Sequence, residues 1–225
     1  TVIVNPSCTP LASFPYFESY ENNFGLWIQD PGDNFDWTRR SGSTPSNRTG
    51  PNSASDGNFY IYTEATGNQG TAIIEGPCVD LQGATNPVIS FDYHMYGRNM
   101  GILELEISTD GGATWSTYWS ESGDQGNQWR THSSSLSAYN GQTVKFRFLG
   151  TLGGGFRSDM AIDAFSIDEA GNLPAQSTIV AGEGLEIAGL YPNPAIDQLT
   201  IAFSSSSDAR VEWIVADKLG RQVKK

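Results

Sequence analysis

From residue 59 to residue 167, apolar side chains repeatedly fall at every second position, and this period confines the chain to β structure. Phe59, Ile61 and Thr63 alternate with Tyr60, Tyr62 and Glu64; Leu103, Leu105 and Ile107 alternate with Glu104, Glu106 and Ser108; Val144, Phe146 and Phe148 alternate with Lys145, Arg147 and Leu149. Each run is expected to bury one face and wet the other. Shorter strand-like runs lie at 35–39, 71–75, 88–96, 114–120, 128–132 and 159–167, separated by turn clusters such as Thr66-Gly67-Asn68, Asp110-Gly111-Gly112 and Asn140-Gly141. About ten strands without a helical period make two packed sheets or a closed barrel. The expected fold is all-β, a jelly-roll β-sandwich.

Composition agrees with many short strands and tight turns: 25 Gly, 11 Pro, 6 Trp, 9 Tyr and 11 Phe in 225 residues, with only 17% charged. The charge is lopsided, 25 acidic residues against 13 basic, for a formal net charge of −12. Such a surface repels phosphate backbones and anionic lipid heads, so nucleic acid is not an expected partner. No apolar run approaches the roughly 20 residues of a membrane span, so membrane insertion is not expected either.

The chain has two cysteines, Cys8 and Cys78. An even count in a chain of extracellular character favours one disulfide, the alternative being two buried thiols. The bridge would close a loop of about 70 residues, worth roughly 4 kcal/mol in the chain-entropy description, and would pin the N-terminal segment to the domain. No basic start precedes an apolar core at Thr1, so the sequence is expected to be a mature fragment.

Three segments are expected. Residues 1–169 form the sandwich with an N-terminal extension. Residues 170–184, rich in Gly, Ala, Pro, Ser and Gln without alternation, read as a linker. Residues 185–225 hold two or three further strands, around Ile196–Phe203 and Val211–Val215, and are too few to bury a self-sufficient core.

Six strings carry a resemblance: FPYFESYE at Phe14 to Glu21, DNFDWTR at Asp33 to Arg39, TGPNSASDGNFYIYTEA at Thr49 to Ala65, YHMYGRNMG at Tyr93 to Gly101, SGDQGNQW at Ser122 to Trp129, and RSDMAIDAFSI at Arg157 to Ile167. In this order and spacing they resemble the MAM family, extracellular jelly-roll modules of cell-surface receptors and secreted proteases, over residues 8 to 169. Vertebrate-type modules look four-cysteine, so their disulfide connectivity does not carry over to a chain with one pair. Where many members place a second acid, Asp163 is followed here by Ala164. The string LYPNPAIDQLTIAF, with Tyr191, Pro192, Asn193 and Pro194 at its turn, resembles the opening of the C-terminal sorting domain of the bacterial type IX secretion system. That resemblance implies export across the outer membrane and docking to the secretion machinery, with only the N-terminal part of the sorting domain present.

Carboxylates aimed into a sandwich must be neutralised or bound. Asp163 shares parity with Phe165 and Ile167 and is expected to face the apolar side; Glu18 follows Phe17, and Asp33 and Asp36 flank Phe35. If the first and last strands meet, these oxygens converge, and an acid-rich, His-poor set suits a structural Ca²⁺. The expected ligands are Glu18 and Asp163, then Asp33 and Asp36, then Asp159; the alternative is that they cap turns or pair with Arg39, Arg40 and Arg157.

A catalytic apparatus is not expected. His94 and His132 stand without a Gly-x-Ser-x-Gly elbow or a His-Glu-x-x-His string, and Glu104 and Glu106 read as a solvated strand face. Asp110 and Trp115 resemble the turn-locking pair of an Asp-box hairpin. Tyr118, Trp119, Trp129 and Tyr139 are core residues or an aromatic platform for sugar rings. The expected function is therefore a non-catalytic interaction or adhesion module that binds an extracellular protein or glycan, secreted or displayed on a Gram-negative bacterium and appended to an upstream protease or other hydrolase. A carbohydrate-binding module and a cryptic hydrolase are the alternatives.

Overall fold

The computed structural model describes residues 14–170 and, beyond them, the backbone of strands at 185–191, 200–205, 215–216 and 222–224. Two compact units divide the chain, Thr1–Ala170 and Gly171–Lys225.

In the first unit, β1 (Tyr16–Glu18), β3 (Thr38–Ser41), β4 (Phe59–Tyr62), β6 (Pro87–Met95), β9 (Arg130–Ser135) and β11 (Met160–Glu169) form a six-stranded sheet. Its order is β3-β4-β11-β6-β9, and β1 also pairs with β11. The second sheet is made of β2 (Ile28–Gln29), β5 (Thr71–Asp80), β7 (Ile102–Ser108), β8 (Ser116–Ser122) and β10 (Thr143–Thr151) in the order β2-β5-β10-β7-β8. Every pair is antiparallel. The two sheets stack as a jelly-roll β-sandwich, as the alternation requires.

The core lies between their inner faces. Leu103, Leu105 and Ile107 meet Phe146 and Phe148 across the β7–β10 ladder, and all are buried. Trp27 stacks on Phe148 at 5.5 Å and meets Phe165 edge-on at 4.9 Å, so aromatic contacts lock one sheet to the other. The outer face of the five-stranded sheet is charged. Lys145 pairs with Glu75 and Arg147 with Glu106, and the Arg147 guanidinium lies 4.4 Å from the Trp115 ring.

The outer face of the six-stranded sheet departs from the expectation. Tyr60 and Tyr62 belong to the face the alternation leaves wet, yet both are buried. The β3–β4 connection, residues 42–58, folds back over them, and Ala54 and Trp129 complete a small second core with Ala161. The Trp129 indole donates to the Ser53 carbonyl at 2.9 Å and fixes this cover.

A second departure concerns β11. Its register shifts between Asp163 and Ser166, and Ala164 takes φ 49°, the left-handed region where a side chain is strained. Met160 and Ile162 are in the core before the bulge, Phe165 and Ile167 after it. The extra residue inverts the parity, so Asp163 stands on the outer face with Ala161, not on the apolar one.

In the second unit, β12 (Leu185–Tyr191) pairs with β13 (Thr200–Ser205), and β14 (Val215–Ala216) with β15 (Gln222–Lys224). Tyr191 ends β12 opposite Thr200, while Pro192, Asn193 and Pro194 lie outside the described residues. So do residues 171–184 of the expected linker, and Cys8.

Candidate functional site

Asp163 and Asp159 are fully buried on or beside β11. Asp163 Oδ2 accepts hydrogen bonds from the Ser55 and Asp56 N–H groups, each at 2.9 Å, and Oδ1 accepts from the Ala164 N–H at 2.8 Å. Burial outweighs these three donors and pushes the carboxyl up to about 8. Asp159 Oδ1 accepts from the Ala65 N–H at 2.9 Å, and its own N–H donates to Thr49 Oγ1 at 2.9 Å. Its Oδ2 is buried without a hydrogen-bond partner, and burial lifts this group to about 6.

The other expected ligands lie elsewhere. Glu18, on β1 opposite Phe165, accepts from the Tyr20 N–H at 2.9 Å through Oε1, and burial raises it. Asp33 Oδ2 accepts from the Ile73 N–H at 2.6 Å on β5; burial raises it, with help from the charges of Asp36 and Asp30. Asp36 is exposed. Among the described residues no three His, Cys, Asp or Glu side chains are grouped to hold a metal ion. Just past the end of β1 the carbonyl oxygens are already taken by a cationic side chain. The Arg39 guanidinium donates through Nε to the Tyr20 carbonyl and through Nη2 to the Glu21 carbonyl, and it stacks 3.5 Å over the Phe59 ring. The described donors therefore do not fit an ion that needs six to eight free oxygens. They act as backbone acceptors that pin loops to the sandwich.

Asp159 and Asp163 pin the end of the sandwich where four of the motif strings meet. The Gly50 N–H donates to the Tyr96 carbonyl at 3.2 Å, the Thr44 hydroxyl to the Thr49 carbonyl at 3.0 Å, and the Thr44 N–H to the Pro51 carbonyl at 3.3 Å. Ser46 and Thr66 share a hydroxyl hydrogen bond of 2.8 Å. A side chain at Gly97, where φ is 148°, would run into the Arg157 carbonyl at 2.4 Å, so only glycine lets these loops close. The result is a polar cavity of about 410 Å³, lined in part by Thr44, Asn47, Arg48, Asn52, Tyr96 and Asn127. Arg48 holds φ 62°, a left-handed conformation kept by the bonds on either side of it. The cavity escaped the sequence reading because its walls come from strings separated by 30 residues or more.

The imidazoles serve packing. His94 is buried against Trp129 and Tyr96, with ring centroids at 5.5 and 6.5 Å, and burial lowers it to about 4 against a polar contact from Asn127. It is neutral at pH 7. His132 lies against Phe91 and Trp119, each at 5.2 Å, and burial lowers it too. The four candidate platform aromatics do not share a face. Trp119 packs on Phe91 and Tyr93, Trp129 on Tyr60 and His94, and Tyr118 on Tyr139 and Phe146. Asp110 is a turn cap, as expected. Its carboxylate accepts from the Thr114 N–H at 2.9 Å and the Thr114 hydroxyl at 2.6 Å, and these bonds lower it to about 2.

Comparison with known proteins finds relatives over the same stretch of the chain. The family model described as MAM domain, meprin/A5/mu matches residues 16–171. MAM domain-containing glycosylphosphatidylinositol anchor protein 2 of Rattus norvegicus is 31% identical over 187 residues, covering 73% of this chain and 20% of the relative. Neuropilin-1a of Danio rerio is 34% identical over 134 residues, covering 53% of this chain and 14% of the relative. Among solved structures, the K1 cleaved adhesin domain of Lys-gingipain from Porphyromonas gingivalis W83 is similar at 19% identity and a TM-score of 0.47, covering 69% of this chain and 98% of that one. The chain spans about a fifth of the length of the first curated relatives it matches. The family match runs from β1 to the end of β11 and takes in every wall of the cavity; the chain belongs to the MAM family.

Proposed function

We propose that this chain is a non-catalytic recognition module of a protein exported by type IX secretion, and that it binds an extracellular protein or glycan at the loop end of its sandwich. The observation that carries this reading is the use made of the buried ionisable groups. Asp159 and Asp163 hold the loop end in place, and the loop end is left with a preformed polar cavity open to solvent. Preformed concave sites of this size are how small polar ligands are recognised. The imidazoles, shielded by aromatic rings, are spent on packing. The export half of the proposal rests on the resemblance of LYPNPAIDQLTIAF to a sorting domain and places the protein outside a Gram-negative cell, downstream of a protease or other hydrolase.

Two experiments, one in the protein's own host and one with purified chain, test the two halves. Removal of residues 185–225 should leave the protein inside the outer membrane, and normal secretion would overturn the export reading. The purified chain, immobilised on beads, should retain whole cells or matrix in a way that soluble chain competes away. Retention equal to that of uncoated beads would overturn the recognition reading.

A further inference from the structure

We infer that the loop-end cavity takes a sugar ring bearing a single carboxylate, with Arg48 receiving the carboxylate and the surrounding carboxamides reading the hydroxyls. This rests on the recognition reading above and names the ligand class of that site.

The lining chemistry points one way. Asn47, Asn52 and Asn127 each offer an amide donor and a carbonyl acceptor, the pairing that vicinal hydroxyls require. Tyr96 adds a ring whose edge rests against His94. Arg48 is exposed, and no hydrogen bond or ion pair to a described residue engages its guanidinium. Three other arginines of the sandwich are engaged, Arg40 by the Ser43 carbonyl, Arg130 by the Gln125 carbonyl and Arg147 by Glu106, and Arg48 is the arginine that lines this cavity. A planar guanidinium left open beside carboxamides is a bidentate receptor for a carboxylate.

Geometry and charge narrow the ligand further. A volume of about 410 Å³ lies at the small end of ligand sites, suited to a monosaccharide or disaccharide rather than a folded segment of protein. The walls are held by Thr44, Thr49 and Gly50, so little ordering cost falls on binding. Arg48 holds φ 62° within this loop and lines the cavity. A net charge of −12 works against polyanions, and a single guanidinium matches a single carboxylate.

The test titrates the full chain with D-glucuronic and D-galacturonic acid and their neutral congeners, glucose and galactose, followed by NMR of side-chain amides. At least one acid should bind saturably, shift the amide signals of Asn47, Asn52 and Asn127, and bind more weakly as salt rises. Arg48→Gln should raise the Kd of that acid about tenfold and abolish its advantage over the neutral sugar, while Asn127→Ala weakens both. An unchanged melting curve for both variants, whose side chains are exposed, shows that the fold is intact. Equal binding of acid and neutral sugar, or indifference to Arg48→Gln, overturns the carboxylate assignment and leaves the recognition reading standing. No shift at the cavity from any of the four sugars up to tens of millimolar overturns the sugar site, and the bead experiment judges the recognition reading separately.

Discussion

Asp163 stands directly opposite Asp92 in the β11–β6 ladder, and one residue, Ser55, serves both carboxylates. Its N–H donates to Asp163 Oδ2 at 2.9 Å and its hydroxyl to Asp92 Oδ2 at 2.5 Å, while the Thr131 hydroxyl donates to Asp92 Oδ1 at 2.6 Å. Two carboxyl groups side by side on a buried patch of sheet need donors once water is excluded. Here the loop that crosses them supplies the donors that make the pair tolerable, and the pair in turn anchors the loop.

This arrangement gives stability a definite pH dependence. The folded state holds a proton on Asp163 up to about 8 and on Asp159 up to about 6, against an ordinary 3.8 for both. Because the folded values are raised, the stability they contribute is complete below about pH 4 and is lost as pH rises through 6 and then 8. Glu18, Asp33 and Asp56 are raised by burial and act in the same direction. Urea unfolding should show the chain more stable at pH 5 than at pH 8 by on the order of 2 kcal/mol. Asp163→Asn should flatten most of that difference. Asp163→Ala, which leaves the Ser55 and Asp56 N–H groups without their acceptor, should cost about 2–4 kcal/mol at pH 5.

Arg39, on β3, ties down the chain just past the end of β1. Its planar fork bridges two adjacent carbonyls and its face covers Phe59, roles that a lysine cannot combine. Arg39→Lys should lower stability by about 1–2 kcal/mol and Arg39→Ala by more. Excess chelator should leave the melting temperature of the native protein unchanged. A fall of several degrees on chelation, restored by calcium and absent in Asp163→Ala, would return the calcium site that the acid-rich motifs suggest.

Cys78 is buried on β5, and Cys8 belongs to the N-terminal segment that the sequence pairs with it. Mass spectrometry of the unreduced protein after alkylation should find no modified thiol. Reduction should then lower unfolding stability by up to about 4 kcal/mol. Two alkylated cysteines in the native protein would contradict the pairing.

The sandwich was legible because its long strands repeat with period two and bury one face each. β1 and β2, of three and two residues, are too short to show a period. Two errors of face have physical causes outside the strands concerned. Tyr60 and Tyr62 look solvated until the 42–58 connection, which no local pattern places, folds across them. Asp163 keeps its parity on paper, and a single bulged residue at Ala164 reverses it. The motif strings took in Thr49 to Asn52, Tyr96 and Asn127 of the candidate site but neither residues 43–48 nor the grouping. Arg48, Tyr96 and Asn127 come together only through long-range bonds such as Gly50 to Tyr96 and Gly97 to Asp124.

The recognition reading depends on segment 43–57 being a fixed wall of the binding end. Amide hydrogen exchange on the native chain measures this directly. Gly50, Ser55, Asp56 and Ala65, whose N–H groups are bonded to the Tyr96 carbonyl and to the carboxylates of Asp163 and Asp159, should exchange as slowly as the core amides of β11. Exchange of these four at the rate of an open loop, with β11 still protected, would contradict it.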